Sequence, residues 1–540
     1  MVNAIMVPAR LKAFTHSWVV VPVPFSAKTV AVPQSLFVLV VLLTAAALPF
    51  LLFPVSVSDA RMSNATASAL ESVEACFFGF EKCQFDYKFS PIRWDSPLLR
   101  ERSKNNTKWT LSNSPQAQPR PINILYFHER SEYLEKMDRY YYDEVRAASS
   151  HGGLMVRFWG PGWFAYDDRL TATQNIIAAF PDVQFDIIYT KTIHHNVTSD
   201  TAVVIHGTGD CHNKKCITDA YYPTYADAIT YRYAGLLIEF SRPEQWAARE
   251  KNRYKKFTAN LSANDSAPPF TPQPLPFFFH SPDCADEAIM HPVHNAFSRH
   301  RAARMTQGER WAHTRRRTIT MIGSAKTWLY PLRAKVQGAI RAGKIANASV
   351  YKHVGYVLEP REGVVTVGGG MGKGGLLGVY DAEDPDVAHH TVNQHAWAHA
   401  LATTQICVFD SSVVRKAIRK YQESFMSGCV VAADIPLEME DMFKGVVIPL
   451  SAAMSVEEIN ARLQEYLADK ERLAWMAMEA FRRARTHWTC RNKVDRLIEA
   501  AERVVEGERG YWFPFGFSAT CRKFGKDDTW ITDWCKAVPS

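Results

Sequence analysis

The chain has 540 residues, of which 47% are hydrophobic and 22% are charged, and this is enough for two or three globular domains. Its formal net charge of +8 is spread along the sequence and forms no basic arm. Because the sequence also lacks an RNA-binding pattern of interleaved aromatic and basic residues, we exclude nucleic acid as a partner and expect only a mild attraction for anionic substrates.

An uncharged apolar segment lies near the N-terminus. Residues Ser35 to Val57 are enough to cross a bilayer as a helix. Residues 1–34 carry basic but no acidic side chains, so the positive-inside rule keeps them cytoplasmic. A cleaved signal peptide is the competing interpretation, although its n-region would be unusually long and the apolar run exceeds a normal h-region. We therefore predict a single-pass type II anchor in the Golgi or ER membrane, with residues 58–540 in the lumen.

Glycosylation triplets and cysteines fit a luminal location. Asparagines of N-x-S/T triplets stand at Asn64, Asn105, Asn196, Asn260, Asn264 and Asn347. Among the ten cysteines, we predict the bridges Cys76–Cys83 and Cys521–Cys535. Cys407 and Cys429 lie in apolar strands and are predicted to be buried free thiols.

Residues 58–119 are polar and indicate a stem with a small ordered patch around Cys76 to Tyr87. From 120 to 316, apolar strands alternate with helical segments, which predicts a doubly wound parallel sheet. The predicted strands are Ile122 to Phe127, Leu154 to Trp159, Phe185 to Thr190 and Ala202 to His206.

A second α/β region spans 317–507 and opens with the strand Thr318 to Gly323. Its most informative unit runs from Gln405 to Pro436, where the sequence predicts a strand, a helix and a second strand. Ser411 and Ser412 are predicted to cap the helix, which is expected to end at Gly428. A helix start beside cations at the carboxyl edge of a sheet suits an anionic ligand, although an ordinary structural unit would show the same pattern.

The run SSVVRKAIRKYQESFMSGCVVAADIP in this unit resembles the C-terminal domain of GT-B glycosyltransferases, in the branch with family-1 and spore-coat-type sugar transferases. The stretch VRFWGPGWFAYDDRLTATQNIIAAF resembles the N-terminal, acceptor-side domain of the same branch. This resemblance implies two Rossmann-like domains facing a cleft, with 120–316 on the acceptor side and 317–507 binding a nucleotide sugar. It also implies that residues 508–540 pack back on the first domain.

The resemblance assigns roles to individual residues of the second domain. It implies that Glu423 holds the nucleotide ribose and that His353 lies near the donor. Many relatives carry a second glutamate where this chain has Arg415.

Glycosyl transfer builds negative charge on the leaving diphosphate, which fixed cations and helix N-termini stabilise. Arg333, Arg415 and Lys420 are the predicted cations, with Ser411 and Ser412 as further donor-binding residues.

For the acceptor, an inverting enzyme needs a base within reach of the attacking hydroxyl. Each of His128, Asp210 and His212 follows a predicted strand of the first domain, where sheet ligands gather. Asp210 beside His212 could form such a base, or it could belong to a capped turn closed by a Cys211–Cys216 bridge.

No metal or other cofactor is predicted. The histidines at 389, 390, 395 and 399 lack a cysteine or carboxylate that would complete a ligand set, and Asp384-Pro385-Asp386 lies in a polar loop. The glycine-rich run 363–378 fails the phosphate-loop spacing, because Val367 and Gly374 occupy its first and last positions.

The sequence thus predicts a luminal glycosyltransferase that moves a sugar from a nucleotide-sugar donor to a glycan, protein or lipid acceptor. Two alternatives remain: a catalytically silent GT-B-fold glycan-binding or scaffold protein, and an exostosin-like polysaccharide synthase.

Overall fold

The protein is represented by a computed structural model. It describes residues 4–7, 19–22, 77–78, 95–105, 108–112, 120–129, 140–163, 165–190, 197–208, 226–232, 243–261, 266–267, 269–271, 274–293, 304–351, 385–412, 416–436 and 440–512. The chain divides into two compact units, Met1–Ser68 and Ala69–Ser540.

The described residues of the first unit form an antiparallel hairpin of β1 (Ala4–Val7) and β2 (Val19–Pro22). The predicted membrane anchor, Ser35 to Val57, lies outside the described residues. Among the helices that the structure does describe, none combines the length and the apolar character needed to cross a bilayer.

The second unit contains two parallel sheets, so the predicted α/β architecture with two parallel sheets is confirmed. The first sheet has seven strands in the order β16-β10-β9-β8-β7-β5-β6, and every neighbouring pair is parallel. Its strands are β5 (Ile122–Phe127), β6 (Leu154–Trp159), β7 (Ile187–Thr190), β8 (Val203–Thr208), β9 (Ala228–Tyr231), β10 (Phe277–His280) and β16 (Gly510–Trp512).

The second sheet has five parallel strands in the order β12-β11-β13-β14-β15. Its strands are β11 (Arg317–Met321), β12 (Ala348–Val350), β13 (Thr404–Val408), β14 (Val430–Ala433) and β15 (Val447–Pro449). β13 and β14 are almost wholly buried, as expected for parallel strands covered by helices on both faces.

Helices connect and cover these strands. They are α1 (Tyr140–Ser149), α2 (Ala172–Ala179), α3 (Pro243–Ala259), α4 (Gln307–His313), α5 (Pro331–Arg341), α6 (Pro385–Ala402), α7 (Arg419–Met426), α8 (Glu440–Phe443), α9 (Val456–Ala468), α10 (Lys470–His487) and α11 (Cys490–Val505). Side-chain capping fixes the first residue of several helices. Thr171, Ser455 and Thr489 each form a reciprocal capping box with the residue three positions further along the chain.

Two segments assigned to other regions by the sequence are part of the folded core. Within the predicted stem, the antiparallel pair β3 (Arg102–Asn105) and β4 (Lys108–Leu111) follows a short 3₁₀ turn, and Trp109 packs into the first core. Phe77 packs into the second core against Phe481, with ring centroids 5.5 Å apart. The stem prediction therefore extends too far, because short polar strands gave no sustained periodicity to detect.

The position at which the chain returns from the second sheet to the first also differs from the prediction. Three helices, α9 to α11, follow Ser455. The buried side chains of α11 belong to the first core, so the chain returns to the first sheet from Cys490, before the predicted boundary at 507. β16 then pairs with β10, so Gly510–Trp512 form an edge strand of the first sheet.

Cysteine pairing corrects one prediction. Cys407 and Cys429 were expected to be free thiols, but they form a disulfide between β13 and the residue that directly precedes β14. Cys284 is bridged to Cys490, 206 residues later, which ties α11 to the first domain. Apolar surroundings alone therefore did not distinguish a buried thiol from a buried bridge. The predicted bridges Cys76–Cys83 and Cys521–Cys535 lie outside the described residues.

Replacing both Cys407 and Cys429 with alanine is expected to lower the free energy of unfolding by about 3 kcal/mol, because the bridge closes a short loop in the unfolded chain. Denaturant unfolding of the variant beside the wild type measures this loss. Non-reducing peptide mapping provides the check on the pairing, and free thiols at both positions would contradict it.

Candidate functional site

The strand order locates a crevice on the second sheet. Ligands of open parallel sheets bind beyond the carboxyl ends of the strands, where neighbouring connections leave in opposite directions. Here β11 has β12 on one side and β13 on the other, so this point lies between β11 and β13. Gly323 and Ser324 follow β11, while Asp410, Ser411 and Ser412 follow β13. These residues form the candidate donor crevice.

Arg333 and Asp410 form a buried ion pair at the base of this crevice. The Nε of Arg333 donates to Asp410 Oδ1 at 2.7 Å, and the two side chains are 1% and 4% exposed. Two further guanidinium nitrogens donate to the backbone carbonyls of Ser324 and Asp410, at 2.9 and 3.1 Å. The other carboxylate oxygen accepts the backbone N–H of Leu332 and of Arg333, so Asp410 also holds the N-terminus of α5. In this structure Arg333 thus holds the loop after β11 against the loop after β13. Its predicted contact with a diphosphate stays a prediction.

Ser411 and Ser412 do not cap the following helix, which corrects a prediction. α7 begins only at Arg419, and Ile418 at its N-cap makes no side-chain capping bond. The backbone N–H of Ser411 donates to Asp434 at 2.7 Å, and its hydroxyl bonds to the same carboxylate. Ser412 has φ of +73°, in the left-handed region that L-residues rarely adopt. Asp434 therefore holds the loop after β13, and α7 starts further along the chain, at Arg419.

Glu423 lies buried on α7, which ends as predicted at Gly428 with φ of +72°. Its Oε1 is 2.8 Å from the Nε of Arg419, and its Oε2 accepts the indole N–H of Trp397 at 3.0 Å. Each carboxylate oxygen can accept a second hydrogen bond, so this anchoring leaves capacity for hydroxyl donors. Burial raises the pKa of Glu423 above its usual value, and nearby Arg419 opposes this rise.

Lys420, another predicted cation, lies beside Gly323 at the crevice and is partly exposed. Its side chain passes so close to Gly323 that a Cβ built there would lie 2.8 Å from Lys420 Cε and 2.7 Å from Arg333 Nη1. Gly323 has φ of +91° and thus fits both the turn after β11 and the two cationic side chains.

We expect Gly323→Ala to destabilise the protein by about 1–3 kcal/mol, because the methyl group meets both side chains and the backbone conformation is strained. Gly338→Ala is the matched control. Gly338 lies inside α5, where an added Cβ meets nothing within 4 Å, so this change should stabilise by about 0.5–1 kcal/mol. Equal midpoints of urea unfolding for the two variants would contradict this account of Gly323.

In the first domain, His128 directly follows β5 and is only 2% exposed. Its ring lies edge-on to Tyr189 with centroids 5.5 Å apart, and its carbonyl accepts the indole N–H of Trp163. His128 is thus enclosed by aromatic side chains in this structure, and its action as a base stays a prediction. The other predicted site residues, Asp210, His212, His353 and Arg415, lie outside the described residues.

The sequence missed four residues that are linked to Glu423 directly or through one another. Trp397 and Gln394 lie on α6, Arg419 precedes Glu423 by one helical turn, and Asp143 belongs to α1 of the first domain. The i, i+4 spacing of Arg419 and Glu423 was a usable signal. The sequence offers no local signal for Asp143, which is 276 residues from Arg419.

In the described part of the chain, no group of three or more His, Cys, Asp and Glu side chains could hold a metal ion. The four histidines at 389, 390, 395 and 399 all lie on α6. The expectation that no metal is needed stays a prediction.

Comparison with known proteins gives structural likenesses without a sequence match. No protein-family model matches the chain, and no curated protein does. The structure is similar to that of HepE from Anabaena in complex with UDP and glucose, at 10% identity and a TM-score of 0.36, covering 71% of this chain and 98% of that one. It is also similar to a glycosyltransferase from Rickettsia africae, at 7% identity and a TM-score of 0.39, covering 72% and 100%.

A third similar structure is AviGT4, a glycosyltransferase involved in avilamycin A biosynthesis, at 13% identity and a TM-score of 0.33, covering 73% of this chain and all of that one. Two of these three proteins are glycosyltransferases by name. The assignment of a two-sheet parallel fold rests on the strand order of the chain itself.

Proposed function

We propose that this chain is a GT-B glycosyltransferase whose second domain binds a nucleotide sugar in the crevice beyond β11 and β13. The observation that carries the proposal is that Lys420 packs against the Gly323 turn after β11, with Glu423 buried three residues further along the same helix. A buried carboxylate anchored by an ion pair and one hydrogen bond suits the ribose hydroxyls, and a partly exposed lysine beside a glycine turn suits a diphosphate.

The proposed reaction is the attack of an acceptor hydroxyl oxygen on the anomeric carbon of the donor sugar. The bond from that carbon to the diphosphate oxygen breaks, the nucleoside diphosphate leaves, and the hydroxyl proton passes to a base. Lys420 and the positive end of α7 would stabilise the charge that grows on the diphosphate. For the base we keep His128, Asp210 and His212 as candidates on the acceptor side.

We also propose that the enzyme works in the lumen of the Golgi or ER, behind an anchor at Ser35 to Val57. Two disulfides, Cys284–Cys490 and Cys407–Cys429, support an oxidising compartment. The described asparagines of glycosylation triplets, Asn105, Asn260 and Asn347, are exposed, as a glycan requires.

Thermal-shift measurements with a panel of nucleotide sugars test the proposed function, because a ligand that binds only the folded state raises its melting temperature. A donor that stabilises the protein should then be hydrolysed slowly or transferred to an added acceptor. If no nucleotide or nucleotide sugar shifts the melting temperature, the proposal fails, and the catalytically silent alternative is favoured.

A further inference from the structure

A ring of polar side chains that includes Glu423 joins the two domains. Its members are Asp143, Gln394, Trp397, Arg419 and Glu423. Gln394 donates to Asp143, Asp143 pairs with Arg419, Arg419 pairs with Glu423, and Glu423 accepts from Trp397. Because Gln394 and Trp397 are three residues apart on α6, they share one helix face, which closes the ring.

Asp143 is the first-domain member of this ring. Its side chain is fully buried, and both carboxylate oxygens bond to side chains of the second domain. Gln394 Nε2 donates to Oδ1 at 2.7 Å, and the guanidinium of Arg419 bonds to Oδ2. A buried carboxylate stabilises the domain arrangement in which its partners lie within reach, because separating them would leave its charge unpaired.

Arg419 connects Asp143 to the candidate donor site. One guanidinium nitrogen, Nη2, pairs with Asp143, while Nε lies 2.8 Å from Glu423 Oε1. The guanidinium is planar and rigid, so fixing one edge on Asp143 also fixes the direction in which Nε points. The orientation of the Glu423 carboxylate thus depends on a residue of the other domain.

We propose that Asp143 is a positioning residue for nucleotide-sugar binding, which acts through Arg419 on Glu423. The inference rests on the proposed function and deepens it, since it names the first-domain residue that orders the donor site. With Asp143 in place, the two domains hold Glu423 with its remaining acceptor capacity directed at the ribose hydroxyls. Without this carboxylate, Arg419 loses the contact that fixes the plane of its guanidinium, and the orientation of Glu423 is held less firmly.

The first test compares Asp143→Asn with Asp186→Asn by titration calorimetry, using the nucleotide sugar that gives the largest thermal shift. Asp186 is a matched control in the first domain, because it is also fully buried and pairs with two arginines, Arg102 and Arg120. Both variants should be less stable than the wild type. We expect Asp143→Asn to weaken donor binding about tenfold, and Asp186→Asn to leave it within about twofold.

The second test is a double-variant cycle with Glu423→Gln. If Asp143 acts through Glu423, the tenfold effect of Asp143→Asn should disappear in the Glu423→Gln background. Asp143→Glu keeps the charge and should retain part of the donor affinity that Asp143→Asn loses. If Asp143→Asn does not fold, Asp143→Glu is the variant compared with the wild type.

The outcomes separate the two proposals. A wild-type protein that binds no nucleotide sugar overturns the proposed function, and this inference with it. A wild-type protein that binds donor, with Asp143→Asn matching Asp186→Asn in affinity, overturns the inference alone. An equal loss of donor affinity from Asp143→Asn in the wild-type and Glu423→Gln backgrounds also overturns it, because Asp143 would then act by a route other than Glu423.

Discussion

Glu423→Gln is expected to weaken nucleotide-sugar binding by about 10- to 100-fold, because hydrogen bonds to a charged acceptor are worth about 1.5–3 kcal/mol. The amide keeps the size of the side chain and one acceptor oxygen but loses the charge that attracts two hydroxyl donors. Thermal stability at neutral pH should not fall, since the substitution removes a buried carboxylate whose charged form is disfavoured by burial. Titration calorimetry and a melting curve on the same preparation measure both quantities.

Glu479→Gln is the matched control for this variant. Like Glu423, Glu479 is a helical carboxylate held by arginine, here Arg482 and Arg483, but it lies on α10 away from the crevice. Its replacement should leave the dissociation constant of the donor unchanged. Undiminished donor affinity in Glu423→Gln would remove the ribose role from Glu423.

The same residue predicts a pH dependence of stability. Burial in the folded protein raises the pKa of Glu423 above its ordinary value, so between the unfolded and folded pKa values the folded state binds more protons than the unfolded state. Stability from this group is therefore fully present below the unfolded pKa and is lost as the pH rises through the folded pKa. The difference in free energy of unfolding between wild type and Glu423→Gln should favour the wild type more at acid pH than at neutral pH, and a difference that does not change with pH would contradict this.

Arg333→Met is expected to cost about 3–5 kcal/mol of stability, the second large effect. The substitution leaves the buried Asp410 carboxylate without its 2.7 Å charge partner, and removing one member of a buried ion pair leaves an uncompensated charge. It also frees the loop after β11 that Arg333 holds through Ser324. Urea unfolding followed by fluorescence measures the loss.

The exposed pair of Arg169 with Asp167 provides the contrast. Its nitrogen–oxygen distance is also 2.7 Å, but the arginine side chain is 88% exposed. Arg169→Met should leave the unfolding midpoint unchanged, since water screens such pairs. If Arg333→Met proved as stable as Arg169→Met, the structural role assigned to Arg333 would be wrong.

Several features of the candidate site could be predicted from the sequence because they depend on residues close together in the chain. The strand at Thr404–Val408, the helix stop at Gly428 and the strand at Val430–Ala433 all follow from local apolar runs and one glycine. The placement of Glu423 on the intervening helix follows from the same spacing. Local signals failed at the start of that helix, because the bonds of Ser411 to Asp434 compete with capping.

By itself, therefore, the sequence determined that the chain forms alternating strands and helices, and that Glu423 and Lys420 lie on a helix between two buried strands. Periodicity and turn residues record such features over a few neighbouring positions. Only the tertiary structure decided that Arg333 is held by Asp410, that Cys407 pairs with Cys429, and that Asp143 reaches Arg419 from the other domain. The physical reason is that a buried charge or thiol takes its partner from whatever the packing brings beside it, and residues far apart in sequence leave no shared local pattern.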